Sequence, residues 1–210
     1  MRALVFANGK LNNGRAVRAA LAEAGEGALV VAADGGMRHA LALGRAVDVV
    51  VGDLDSLRGA PEGVEVVQSP AAKDETDLEL ALEHAVARGA TWMRIIGALG
   101  GRLDQMLGNV MLLALPALRG LDVRLVAGEQ TAWLVAGHTA IDGAVGDTLS
   151  LLPLGGDAEG VRTSGLQYPL HDETLHFGPA RGMSNVLAAP RAEVWVRRGL
   201  LLAVHTPGRA

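Results

Sequence analysis

Two aspartates stand two residues apart in the stretch Gly52-Asp53-Leu54-Asp55-Ser56. In an extended segment alternate side chains share a face, so Asp53 and Asp55 can point at one cation. Magnesium takes compact oxygen ligation and is held by one or two carboxylates together with substrate phosphates. The same dipeptides also make good Asx turns, so the pair alone favours the simpler turn. Its company tips the balance. Carboxylates recur in Asp34-Gly35-Gly36, in Lys73-Asp74-Glu75-Thr76-Asp77 and in the glycine-rich run from Gly97 to Asp104.

These groups act together only if the fold brings them together. Short apolar runs at Ala3–Ala7, Ala28–Ala33, Val47–Val51, Val64–Val67, Met93–Ile96 and Val123–Ala127 have the character of buried parallel strands. Helix-period segments separate them at Arg15–Ala24, Met37–Leu43, Asp77–Arg88 and Leu103–Leu115, and Gly or Pro stops each one. Such alternation predicts an α/β unit with a mainly parallel sheet flanked by helices. Ligands of open parallel sheets bind beyond the carboxyl ends of the strands. Each acidic stretch above follows a predicted strand, so the carboxylates should converge at one rim.

Two of the stretches carry cations. Thr76 and Glu79 fit a capping box, which accounts for Glu79 but not for Lys73, Asp74 and Asp77 beside it. In this setting Asp77 is expected to bind metal and Lys73 to touch phosphate. Backbone N–H groups around Gly100 and Gly101, at the start of a helix, suit phosphate, and Arg102 adds a fork of donors. The order of the glycines matches neither a Walker A loop nor a Rossmann fingerprint.

Near Gly128 the pattern changes to short alternating runs between Gly, Pro and Asp turns, as at Thr131–Val135, Thr148–Leu152, Gly160–Thr163, Ala192–Val196 and Leu200–His205. They predict a small antiparallel β domain, a sandwich or barrel. Half of the 210 residues are hydrophobic and only 3% are aromatic, so the core must be aliphatic. A formal net charge of −4 speaks against a nucleic-acid partner. The absence of cysteine removes disulfides and thiolate chemistry and fits a reducing cytoplasm. No signal-peptide or membrane-span pattern is visible; the best apolar run, Val110 to Leu115, stops at Pro116. The six histidines are scattered without zinc-pair spacing.

The ordered set resembles the thiamine pyrophosphokinase family. The matching stretches are Ala33-Asp34-Gly35-Gly36, Gly52 to Ser56, Lys73 to Glu79 and Gly97 to Gln105. Weaker matches lie at Gly165 to Leu170 and Gly182-Met183-Ser184-Asn185. The resemblance implies an α/β domain over residues 1–130 that binds ATP and Mg²⁺. It implies a β-sandwich over residues 131–210 that binds thiamine and dimerises, with active sites shared in a homodimer. Magnesium would sit on Asp53, Asp55 and Asp77. Asp34, Gly35, Gly36, Lys73, Asp74, Thr76, Gly100, Gly101 and Arg102 would serve ATP. Asp104, Tyr168, Ser184 and Asn185 would serve thiamine. Asp77, Asp104, Arg102 and Lys73 would carry the chemistry. Two departures are Tyr168, where members often have Trp, and Gln105, where many bacterial members have His; no proton transfer is assigned to Gln105.

The implied reaction is direct attack of the thiamine hydroxyl on the β-phosphorus of ATP, with AMP leaving. Asp77 or Asp104 would take the proton. Two rivals are diphosphate transfer to another hydroxymethyl acceptor, such as a pterin, and a non-catalytic nucleotide- or thiamine-binding regulator.

Overall fold

The computed structural model describes residues 1–52, 63–68 and 74–208. The chain divides into two compact units, Met1–Gly128 and Glu129–Ala210.

In the first unit the elements alternate as the periodicities require. They are β1 (Arg2–Phe6), α1 (Arg15–Ala24), β2 (Leu29–Ala33), α2 (Met37–Ala42), β3 (Val49–Gly52), β4 (Glu65–Gln68), α3 (Asp77–Ala87), β5 (Trp92–Ile96), α4 (Leu103–Met111) and β6 (Asp122–Ala127). Among the described residues the strands lie in the order β6-β5-β1-β2-β3-β4. Every described pairing among them is parallel. Side chains alternate across the sheet. Leu4, Phe6, Val30, Ala32 and Val50 pack with Val17, Ala20 and Ala24 of α1 and with Met37 and Ala40 of α2. Val5, Val31, Val49 and Val51, of the opposite parity, are equally buried. Both faces are therefore covered, which is why these strands read as unbroken apolar runs. α3 packs on β1, β2 and β3 and buries Leu78, Ala81, Leu82 and Ala85.

One helix is shorter than its periodicity implies. α4 ends at Met111, and Leu112–Ala114 tighten into a 3₁₀ turn. Pro116 forces the residue before it out of the helical region, and Leu115 has ψ 134°. The strain-free exit costs the last turn of α-helix. No helix among the described residues is long and apolar enough to cross a membrane.

The second unit contains β7 (Gln130–Val135), β8 (His138–Asp142), β9 (Thr148–Pro153), β10 (Ala158–Ser164), β11 (His171–Leu175), β12 (Asn185–Val186), β13 (Arg191–Trp195) and β14 (Leu201–Thr206). Within it the order β12-β9-β14-β7 forms one antiparallel layer and β11-β10-β13-β8 another. Trp133, Leu149, Leu151 and Leu201 of the first layer share a core with Ile141, Val161, Leu175 and Val194 of the second. The architecture is thus a sandwich and not a barrel. Polar strands such as β8 and β11 carry too little alternation to stand out in the sequence.

Candidate active site

From β1 the chain builds outward through β2, β3 and β4, then returns to the far side of β1 with β5 and β6. The order reverses between β1 and β5. Loops leaving the strands at such a switch point part from one another and leave a crevice at the carboxyl edge. A cleft of about 820 Å³ lies there. Its walls include Asn8, Gly9 and Lys10 after β1, Asp34 after β2, Thr76 and Asp77 at the start of α3, and Gly100, Gly101 and Arg102 after β5; Gln105 and Asn109 of α4 complete them.

Backbone bonds hold the first and last of these walls together. Gly9 N–H donates to Gly97 O at 2.7 Å and Lys10 N–H to Leu99 O at 3.1 Å. Asn109 is buried and donates its Nδ2 to Ala98 O at 2.7 Å, which ties α4 to the loop after β5.

Asp34 opens a 3₁₀ turn with φ +45°, a conformation that Asp tolerates better than most residues. The Asn8 Nδ2 donates to its Oδ2 at 3.2 Å. Arg38 Nη2 in turn donates to Asn8 Oδ1 at 3.1 Å, which orients the amide so that its N–H faces the carboxylate. The next residues leave no room for side chains. A Cβ on Gly36 would stand 2.0 Å from Phe6 O. Gly35 and Gly36 do not line the cleft; they let Asp34 sit against β1. Gly52, the last described residue before Asp53, lies against Asp34, whose Cα would be 3.4 Å from a Cβ there.

Thr76 caps α3 by accepting from Glu79 N–H at 3.2 Å, as the capping box predicts. The cap turns Asp77 into the first helical residue, in the cleft wall. Asp74 is exposed and outside the lining. Arg102 and Asp104 form a bidentate pair. Hydrogen bonds from Arg102 and from Gln105 N–H hold the Asp104 carboxyl below the usual range, and Asp104 raises the Arg102 guanidinium in return. Asp104 lines a smaller depression of about 160 Å³ that shares Thr76, Gln105 and Asn109 with the main cleft.

Asp53, Asp55 and Lys73 lie outside the described residues. Asp34 and Asp77, both hard oxygen donors, do line the same cleft, a donor type that suits magnesium. Among the described residues no group of three or more His, Cys, Asp or Glu is arranged to hold a metal on its own.

In the second unit, Asn185 meets Tyr168, and Ser184 precedes Asn185 in the chain. Asn185 accepts from Tyr168 N–H at 3.1 Å and donates to Tyr168 O at 2.7 Å, so its amide clasps the tyrosine backbone from both sides. Ser184 has φ +55°, and its N–H donates to Ser150 Oγ at 3.0 Å. Tyr168 is 62% exposed.

The sequence reading passed over Asn8, Lys10 and Asn109. For the first two a signal existed. The rule applied to the ends of β2 to β5 applies equally to β1, where Asn8-Gly9 already marks a turn. Asn109 gave none, because a buried Asn on a helix is recognised only from its partner.

An open parallel sheet with a polar, glycine-walled cleft at its switch point, followed in the chain by a β-sandwich, defines a two-unit α/β protein built to bind small molecules. Residues 23–125 match the family model described as thiamin pyrophosphokinase, catalytic domain. Residues 138–201 match the model described as thiamin pyrophosphokinase, vitamin B1 binding domain. The chain belongs to the thiamin pyrophosphokinase family. It is 28% identical over 138 residues to the thiamine pyrophosphokinase of Bacillus subtilis, covering 65% of this chain and 64% of that one. It is 30% identical over 160 residues to thiamine pyrophosphokinase 3 of Oryza sativa, covering 67% and 58%. These matches span less than two thirds of the relatives' own length. The crystal structure of the Bacillus subtilis protein superposes with a TM-score of 0.87 at 24% identity, over 99% of both chains. That of a family member from Enterococcus faecalis gives 0.81 at 25% identity, over 98% of this chain and 99% of the other.

Proposed function

We propose that this chain transfers diphosphate from ATP to the hydroxyl of thiamine, giving thiamine diphosphate and AMP. The observation that carries this reading is the cleft at the β1/β5 switch point, where Asp34, Asp77, Lys10 and the Gly100-Gly101 backbone face one volume. A polyphosphate needs such a mixture of backbone donors and cations, with carboxylates to hold its metal. Membership of the family supplies the substrates.

In this reading the ATP phosphates lie along the loops after β1 and β5, and Lys73, Arg102 and the backbone near Gly100 and Gly101 bind them. Asp34, held by Asn8 and backed by Gly35 and Gly36, and the Asp74–Thr76 stretch complete the nucleotide site. Asp53, Asp55 and Asp77 would hold magnesium, which would supply positive charge against the phosphates. Tyr168, Ser184 and Asn185 receive thiamine, with the exposed Tyr168 ring stacking on the cationic thiazolium. Asp104 orients the hydroxyl.

The hydroxyl oxygen forms a bond to the β-phosphorus, and the bond from that phosphorus to the bridging oxygen of the α-phosphate breaks. The electron pair leaves with AMP. The proton goes to Asp77 or Asp104; Arg102 donates to both oxygens of Asp104 and orients that carboxylate. Such transfer depends on alignment and charge more than on covalent chemistry.

The working form is proposed to be a cytoplasmic homodimer with shared active sites. Besides the sandwich over 131–210, to which dimerisation is assigned, the first unit offers Leu103, Leu107 and Met111, which recur at helical spacing along α4 and are 68%, 52% and 60% exposed, an apolar stripe that a second copy would cover.

The test is AMP release from ATP and Mg²⁺ with a panel of acceptors. Thiamine should support release and a hydroxymethylpterin should not. A folded protein that releases no AMP with thiamine overturns the assignment.

A further inference from the structure

The described lining of the cleft carries more negative charge than positive. Asp34, Glu75 and Asp77 face Lys10 and Arg102 there. Arg102 is committed to Asp104 by two hydrogen bonds of 3.1 Å and 2.6 Å. Lys10 is different. Among the described residues its ammonium has no carboxylate within ion-pair distance, and its side chain is exposed in the cleft wall.

Its position is nonetheless built. The backbone of Gly9 and Lys10 is bonded to Gly97 O and Leu99 O. Gly100, with φ +87°, passes so close that a Cβ there would lie 2.6 Å from Lys10 Cβ and 3.5 Å from its Cγ and Cδ. The aliphatic stem of Lys10 thus runs along the bare face of Gly100. A compact cation is thereby placed in the wall of the switch-point crevice.

We propose that Lys10 supplies a second ammonium, in addition to Lys73, to the polyphosphate chain in this cleft, and that the missing side chain at Gly100 leaves room for its stem. The proposal rests on the reading that the cleft takes ATP. It assigns a phosphate-binding role to a residue in the loop after β1 that the matching stretches do not include, and the described Arg102 serves Asp104 first.

Titration calorimetry on the full chain with inorganic tripolyphosphate, ATP and AMP tests it at fixed magnesium. Lys10→Met keeps the stem on Gly100 and removes the charge. It should weaken tripolyphosphate and ATP about ten-fold or more, since a charge-assisted hydrogen bond is lost, and leave AMP within about two-fold. Lys10→Arg should recover part of the loss. The salt dependence of tripolyphosphate binding should flatten in Lys10→Met, which a purely structural role would not produce. Unchanged tripolyphosphate affinity in a folded Lys10→Met protein overturns the proposal. Failure of the wild-type chain to bind either tripolyphosphate or ATP overturns the reading of the cleft itself.

Discussion

Arg102 Nε and Nη2 donate to the two carboxylate oxygens of Asp104, at 3.1 Å and 2.6 Å, across only one intervening residue. Arg102 is the residue before α4 and Asp104 lies in its first turn, so the pair closes over the helix start. Both side chains are well exposed. The pair therefore adds little stability, and its interest lies in what it does to the carboxylate.

Asp104 has its carboxyl lowered, first by Arg102 and then by Gln105 N–H. A group with a lowered value stays charged above it and is lost only as pH falls through it. Arg102→Met removes the main cause. The carboxyl then titrates nearer the ordinary value of about 4, and the acid limb of the pH–rate profile moves to higher pH. Turnover should also fall by roughly 10²-fold, since a donor to developing charge is lost. AMP-release rates across pH check both, and an acid limb that stays in place contradicts the role given to the pair.

The clasp of Asn185 on Tyr168 predicts an effect on acceptor affinity. Asn185→Ala deletes two hydrogen bonds of 3.1 Å and 2.7 Å to the Tyr168 backbone. KM for thiamine should rise about ten-fold while KM for ATP stays within about two-fold. Tyr168→Trp offers a larger ring face and should leave thiamine KM equal or lower. Equal KM values for Asn185→Ala and wild type would count against a thiamine site there.

Asp147 is expected to stabilise the second unit. It is 4% exposed, and its carboxylate accepts from Gly208 N–H at 2.7 Å and from Ala144 N–H at 2.9 Å, with His205 Nε2 at 2.9 Å. Burial pushes its carboxyl up, but these partners together outweigh it and leave it lowered. The stabilisation is present above the unfolded value near 4 and fades as pH falls through the folded one. Asp147→Ala should cost about 3 kcal/mol near neutrality, because buried donors lose their partner. Denaturant melts of mutant and wild type should converge as the pH drops below about 4, and a constant gap would exclude the charge as the cause.

Gly36 and Gly108 should answer oppositely to alanine. At Gly36 a methyl group meets Phe6 O at 2.0 Å, so β1 or the Asp34 turn must shift. Gly36→Ala should destabilise by at least about 2 kcal/mol and raise KM for ATP. Gly108 sits in α4 with no atom within 4 Å of a new Cβ, and alanine there should stabilise by about 0.5–1 kcal/mol. Thermal melts of both variants decide the point.

The apolar stripe on α4 predicts the assembly. Leu107→Glu places a charge at the centre of Leu103, Leu107 and Met111. The wild type should sediment as a dimer and the variant as a monomer with unchanged melting of the monomeric fold. A monomeric wild type would remove the proposed shared site.

The sequence carried the α/β unit clearly because its strands are buried on both faces. Val49, Val50 and Val51 are all inaccessible, so β3 reads as an apolar run with Gly and Asp after it. The capping box at Thr76 was equally legible, since a cap is a local interaction between residues three apart. The strands β8 and β11 were hidden because half-exposed strands with polar faces lack a strong period. The end of α4 was misplaced because apolar periodicity continued past Met111 while Pro116 imposed its own backbone limit.

By itself, then, the sequence determined which residues follow which strands, because strand burial and helix stops are encoded within a few neighbouring positions. Only the tertiary structure decided that β1 and β5 are neighbours, which set Lys10 against Gly100. Pairing between segments some ninety residues apart depends on the packing of both sheet faces together, and no local pattern records it.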